Sequence, residues 1–131
     1  MKLSSTFFKI VSIAIMLTLV SCKKKEIIEP EQVLENGAIS ISLIGIKSDG
    51  GYAYKLGYQL PKSGDLQTDP TCSKLILFEN GIELPTPHAN HQNIRDYGQG
   101  QYSHWGDELY FSASDNSNPL LNGKKYSYII K

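Results

Sequence analysis

From residue 37 onward the apolar positions fall in short alternating runs bounded by turn residues, and no long stretch repeats with helical period. Ile39, Ile41 and Leu43 alternate with Ser40 and Ser42, a period of two. The phase then slips to Ile44 and Ile46, as at a β-bulge or in a strand buried on both faces. Asp49-Gly50-Gly51 is a turn signal. Beyond it Tyr52, Tyr54, Leu56, Tyr58 and Leu60 share one face, with Ala53, Lys55, Gly57 and Gln59 on the other. The two runs read together as a β-hairpin.

Residues 61–70 read as loop. Leu75-Ile76-Leu77-Phe78 is a compact apolar strand, and Asn80-Gly81 turns it back into Ile82 and Leu84. Pro85 and Pro87 stop regular pairing because proline donates no ladder hydrogen bond. Residues 88–101 form an irregular excursion with one helical turn around 90–97. Two further strands are expected at 108–113 and 126–130, separated by a loop rich in Asn, Asp, Pro and Gly. About six short strands joined by turn chemistry predict an all-β domain, a small antiparallel β-sandwich or open barrel spanning residues 37–131.

The first 36 residues follow a different pattern. Lys2 and Lys9 precede an apolar run from Ile10 to Val20 broken only by Ser12 and Thr18, and Leu19-Val20-Ser21-Cys22 closes it. A positive start, an apolar stretch too short to span a bilayer and a small residue before the end are the layout of a secretory signal. Leu19 to Cys22 also resembles the bacterial lipobox, the signal cut just before a cysteine that becomes lipidated. The resemblance implies a signal peptide over residues 1–21, Cys22 as the lipid attachment site and membrane lipid as a partner. Two or three acyl chains anchor a protein stably, at about 0.8 kcal/mol per buried methylene. Lys23 stands where an aspartate would favour inner-membrane retention. The run Cys22-Lys23-Lys24-Lys25-Glu26 is similar to lipoproteins of the Bacteroidota, which implies the outer membrane, on its periplasmic face or at the cell surface. Residues 22–36, charged and interrupted by Pro30, read as a tether.

Composition narrows the partners. The chain has 13 basic and 13 acidic residues, and loss of Lys2 and Lys9 with the signal leaves 11 against 13. No half of the remaining chain is strongly basic, which argues against nucleic acid. With Cys22 acylated, Cys72 is the only thiol and no intrachain disulfide can form. Its place before an apolar run suggests a buried structural residue. No phosphate-binding glycine loop occurs, and no cofactor is expected.

Candidate chemistry is concentrated in one segment. His88, His91 and His104 are all the histidines, Arg95 is the only arginine and Trp105 the only tryptophan; Asp96 and Asp107 lie among them. Four uses compete. Three imidazoles could ligate zinc, although His-x-x-His is a weak spacing for it. A histidine oriented by Asp96 or Asp107 could act as general base, but no nucleophile stands out. His104 and Trp105 could pack at the core edge while Arg95 pairs with a carboxylate and pins the loop. Finally, Trp105, Tyr97 and Tyr102 could offer apolar platforms, with His88, His91, Arg95, His104, Asp107, Asp115 and Asn116 supplying hydrogen bonds to hydroxyls or a carboxylate. Asp115-Asn116-Ser117-Asn118 also suits calcium by its alternating oxygens, but lacks the glycine and distal glutamate of an EF-hand.

Phe78-Glu79-Asn80-Gly81, His88, His91, Ile94-Arg95, Gly98-x-Gly100, Tyr102-Ser103-His104-Trp105-Gly106, Leu109-Tyr110-Phe111-Ser112, Ser114-Asp115-Asn116-Ser117, Pro119, Asn122-Gly123 and Tyr126 form a block. It resembles one that recurs in bacterial proteins linked to polysaccharide and glycan metabolism, including modules attached to glycosyltransferase-like and methyltransferase-like chains. Those sequences place an arginine in the basic pair after Asn-Gly, where this chain has Lys124-Lys125. The resemblance implies a glycan association and carries over no catalytic residue. The expected function is a membrane-anchored, non-catalytic accessory module that binds a glycan or an envelope protein. A metal-dependent or histidine-based hydrolase, or a structural subunit of an envelope complex, are the alternatives.

Overall fold

The computed structural model describes residues 33–131 except 35, 58, 59 and 62. The expected signal peptide, Cys22 and most of the expected tether lie outside the described residues. Among the described residues, no helix is long and apolar enough to cross a membrane.

Among the described residues, eight strands form two four-stranded antiparallel sheets, as expected of an all-β sandwich. The first contains β1 (Ile39–Ser40), β8 (Tyr126–Ile130), β4 (Leu75–Glu79) and β5 (Ile82–Glu83), in that order. The second contains β2 (Lys47–Gly50), β3 (Ala53–Leu56), β7 (Glu108–Phe111) and β6 (Tyr102–Trp105). Alternation decides what each strand gives to the core. Leu75, Leu77, Tyr126 and Tyr128 come from the first sheet; Leu56, Leu109, Phe111 and Tyr102 come from the second. Phe111 meets Tyr126 across the interface edge to face, with ring centroids 5.0 Å apart.

The outer face of the second sheet is also covered. A short helix, α1 (His91–Asp96), lays Ile94 on Ala53 and Tyr110, with Ala89 and Trp105 beside them. Asn90 caps it by accepting from the Gln92 N–H at 2.8 Å. The expected helical turn is therefore present, and so is the 80–81 hairpin: Asn80 and Gly81 both have positive φ, the pairing of a type I′ turn.

The N-terminal hairpin differs from the expectation. Ile39 and Ser40 pair with β8 in the first sheet, while the partner of β3 is the polar strand β2. Between them the chain turns at Ile44 and Gly45 and passes from one sheet to the other, with Ile41 and Ile46 buried and Ile44 exposed. The phase slip is thus a crossover. Strand β3 also stops at Leu56, and Tyr52 lies exposed in the turn; Tyr58 and Gln59 fall outside the described residues. Strand β6 was not foreseen, because its four residues sit inside a segment dominated by glycine and polar side chains.

Two irregular segments cover the free edge of β6. Asp65 N–H donates to the His104 carbonyl at 2.7 Å and Gly106 N–H to the Asp65 carbonyl at 3.1 Å. Further along, Tyr102 N–H donates to Thr86 and Ala89 N–H to Tyr102, both at 2.9 Å. Gly64 must be glycine for this fit, since a Cβ would lie 2.5 Å from the backbone of Gly106. An edge that would otherwise expose unpaired backbone groups is thereby closed.

The β2–β3 turn rests on the last turn of α1. Tyr52 N–H donates to the Arg95 carbonyl at 3.0 Å, and a Cβ on Gly51 would lie 2.0 Å from that oxygen. Gly51 also has φ +53°. Substitution Gly51→Ala is expected to destabilise the domain by at least about 1–3 kcal/mol from backbone strain alone. The overlap adds to that cost, and a urea titration measures the total.

Candidate functional site

Helix α1, the outer face of β6–β7 and the two edge-covering segments enclose a cleft of ≈ 690 Å³. Its walls carry Asp65, His88, His91, Arg95, Ser103 and Trp105, with Asn90, Gln92, Glu108, Tyr110, Pro70 and Ala89 around them. Strand register explains the selection. Ser103 and Trp105 pair with Tyr110 and Glu108, so all four point to the outer face; His104 pairs with Leu109 and points inward.

Four expected site residues therefore meet: His88, His91, Arg95 and Trp105. They are not all in loop, as the sequence suggested. His91 and Arg95 stand on α1 and Trp105 on β6, while His88 comes from the segment along the β6 edge. The His91 ring stacks on Tyr110 with centroids 3.8 Å apart and meets Trp105 edge-on at 5.8 Å. Ser103 Oγ lies 3.3 Å from His91 Nε2. Burial lowers the His91 pKa, and the nearby Arg95 charge lowers it further. His91 is accordingly a neutral, aromatic part of the wall.

His88 is held by Asp65, whose Oδ2 is 2.7 Å from His88 Nδ1. Asp65 is 1% exposed, and its other oxygen accepts from the Ser73 N–H at 2.9 Å. A desolvated carboxylate with two donors is satisfied in place. In the neutral ring this bond puts the proton on Nδ1 and leaves Nε2 an acceptor. No hydrogen bond to another described residue occupies Nε2. His88 also has φ +54°, a conformation that costs a non-glycine residue energy and that clusters at functional sites. Asp65 had no signal in the sequence: it is one carboxylate in a polar loop, 23 residues from its partner.

Arg95 is the loop pin that the sequence allowed for. Its Nε and Nη2 lie 2.9 and 2.6 Å from Asp49 Oδ2, and Nε also donates to the Asp49 carbonyl, joining α1 to β2. Glu108 pairs with Lys55 at 2.7 Å and accepts from Tyr110 Oη at 2.8 Å. Hydrogen bonds to Glu108 and Tyr110 raise the Lys55 pKa, and the bond from Lys55 lowers that of Glu108.

The other expected residues lie elsewhere. His104 is buried on the inner side of β6, with Nε2 donating to the Pro61 carbonyl at 3.0 Å and Nδ1 2.8 Å from Ser73 Oγ. Burial lowers its pKa. The three histidines consequently do not converge as a zinc shell, and among the described residues no three His, Cys, Asp or Glu side chains could hold a metal ion. Asp107 sits in the β6–β7 turn; the carboxylate that orients a histidine is Asp65 instead of Asp96 or Asp107. Tyr102 faces the core and Tyr97 is exposed at the end of α1. Cys72 is half-buried and donates to the Gly64 carbonyl at 3.3 Å.

Asp115 and Asn116 belong to a separate polar cluster. Asp115 Oδ1 accepts from Ser117 and lies 2.9 Å from Lys124 Nζ, where an ammonium already occupies the place of a calcium ion. These contacts, Ser117 first, hold the Asp115 pKa far below the usual carboxylate range. Asn116 bonds the Gln99 N–H at 2.6 Å and the Tyr97 carbonyl at 3.1 Å. At the centre, buried Glu79 accepts from Ser114, Lys124 and Tyr126. Burial alone would raise the Glu79 pKa, but these donors outweigh it and hold the carboxyl below its ordinary value.

Compared with known proteins, the chain matches no protein-family model, no curated protein and no solved structure. The Glu79 cluster yields a test of its structural role. A depressed folded-state pKa contributes stability above the unfolded value near 4.5, and that stability is lost as the pH falls through the folded value. Glu79→Gln is expected to cost about 1–3 kcal/mol at pH 7. The variant's urea midpoint should also fall less steeply than the parent's below about pH 4.5.

Proposed function

We propose that the protein is an envelope lipoprotein whose β-sandwich domain binds a glycan in the α1–β6 cleft and performs no chemistry on it. The observation that carries this reading is the meeting of His88, His91, Arg95 and Trp105 in one cleft. An aromatic wall beside hydrogen-bonding side chains suits a ligand with an apolar face and polar edges. Those same residues belong to the block that resembles glycan-associated bacterial proteins, which supports the assignment. Acylated Cys22, the lipobox and the charged tether supply the anchor, most simply at the outer membrane.

A second reading draws on the Asp65–His88 pair. A buried carboxylate on Nδ1 is the arrangement of a histidine general base, and a bound ester or glycoside would then be hydrolysed. Ser103 is a poor nucleophile for such a step because it is 2% exposed. Release of product from chromogenic esters or glycosides, abolished by His88→Asn, would favour hydrolysis over binding.

Two outcomes are expected. Trp105→Ala should remove binding to the glycans retained by the parent protein on an array, with the fold checked by circular dichroism. Cys22→Ser should move the protein from the membrane pellet to the soluble fraction and abolish labelling by a radioactive fatty acid. Full membrane retention of the serine variant would contradict the anchor.

A further inference from the structure

We infer that the ligand of the cleft is an uncharged, hydroxyl-rich ring of the neutral-saccharide type, seated on Trp105 with one hydroxyl at His88 Nε2. This rests on the glycan-binding reading and narrows it.

Charge balance is the first argument. Each carboxylate and guanidinium lining the cleft is already matched within the protein: Arg95 by Asp49 at 2.6 Å, Glu108 by Lys55 at 2.7 Å and Asp65 by His88 at 2.7 Å. A charged ligand would have to compete with these pairs or enter desolvated and uncompensated, and burying an unpaired charge is costly. With His88 neutral, the Asp65 charge stands behind the ring and opposes an anion; with His88 protonated, the two cancel. Neither state offers a free positive charge to a carboxylate, sulfate or phosphate. Nor is Asp65 open to a cationic ligand, since it is buried and both its oxygens are engaged.

Hydrogen-bond polarity is the second. The Oδ1 of Asn90 is used in capping α1, which leaves its Nδ2 as a donor. Gln92 gives its Nε2 to Asp96 at 2.9 Å, which leaves its Oε1 as an acceptor. His88 Nε2 accepts when the ring is neutral and donates when it is protonated. The rim is therefore mixed, donors beside acceptors, and hydroxyl groups satisfy both because each can donate and accept. Trp105 and Pro70 supply the apolar surface against which the C–H face of a ring can lie.

Backbone conformation decides the choice of variant. Residue 88 holds a left-handed conformation that asparagine also adopts readily. His88→Asn keeps the backbone preference while removing Nε2, and makes the suitable variant.

The test uses the full-length lipidated protein in detergent, titrated by calorimetry with neutral, acidic and cationic oligosaccharides: mannan and glucan fragments, oligogalacturonates and glucosamine oligomers. Binding of a neutral oligosaccharide, weakened at least tenfold in both His88→Asn and Trp105→Ala while each variant remains folded by circular dichroism at the assay temperature, is the expected result. Equal or tighter binding of the acidic or cationic probes overturns neutrality while leaving glycan binding intact. Neutral binding that survives His88→Asn unchanged overturns the role of Nε2. Failure of the parent to bind any of the three classes overturns the glycan reading together with this one.

Discussion

The carboxylate of Asp65 is the group on which the geometry of the cleft depends. It is almost wholly removed from water, where an ionised oxygen without donors would cost several kcal/mol. Its two donors, the Ser73 N–H and the His88 ring, come from two segments with no regular structure of their own. Asp65 also exchanges two backbone hydrogen bonds with the free edge of β6, one to the His104 carbonyl and one from the Gly106 N–H. One residue thus ties the 64–73 loop, the 86–89 segment and the edge strand into a single wall. Ser73 continues the connection inward through its hydroxyl to His104, whose other nitrogen reaches Pro61. His88 can be held in a strained backbone conformation because both its ring and its flanking chain are fixed in this way.

The second constraint is that one sheet is covered on both faces. Strands β3, β6 and β7 give alternate residues to the sandwich core and to a smaller apolar cluster under α1. A six-residue helix has little stability alone, because nucleation is costly and propagation short. It persists here through fully buried Ile94, the Asn90 cap, and the Arg95–Asp49 ion pair with the β2–β3 turn beneath it. The same contacts set the cleft, since His91 lies one turn from Arg95 and stacks on Tyr110. The proposed binding residues consequently stand on elements fixed from behind, which would lower the entropy lost on binding a ligand. At the other end of the sandwich, Glu79 performs the corresponding task for the Asn-rich loop, gathering Ser114, Lys124 and Tyr126 around one buried carboxylate.

Much of this was legible in the order of residues. Alternation marked β3, a compact apolar run marked β4, strands were expected where β7 and β8 stand, the Asn80-Gly81 pair announced its hairpin, and a helical turn was expected at α1. Those features are local: each depends on side-chain period or turn chemistry within a few residues. The composition of residues 88–105 likewise marked the segment that supplies most of the cleft. Other features were not local. Ile39 and Ser40 alternate as well as any strand, yet their partner is β8, and only the packing of two sheets chooses that pairing over a hairpin. His104 and Trp105 are neighbours in the chain and lie on opposite faces, because successive side chains on β6 alternate.

By itself, then, the sequence determined the all-β class, the principal turns and the stretch in which polar and aromatic side chains are concentrated, since periodicity and turn propensity act between near neighbours. Tertiary structure alone decided that Asp65 would stand behind His88, that Arg95 would face Asp49 and that His104 would leave the cleft for the core. Those choices follow from strand register and from the need of buried polar groups to find partners, wherever along the chain the partners lie.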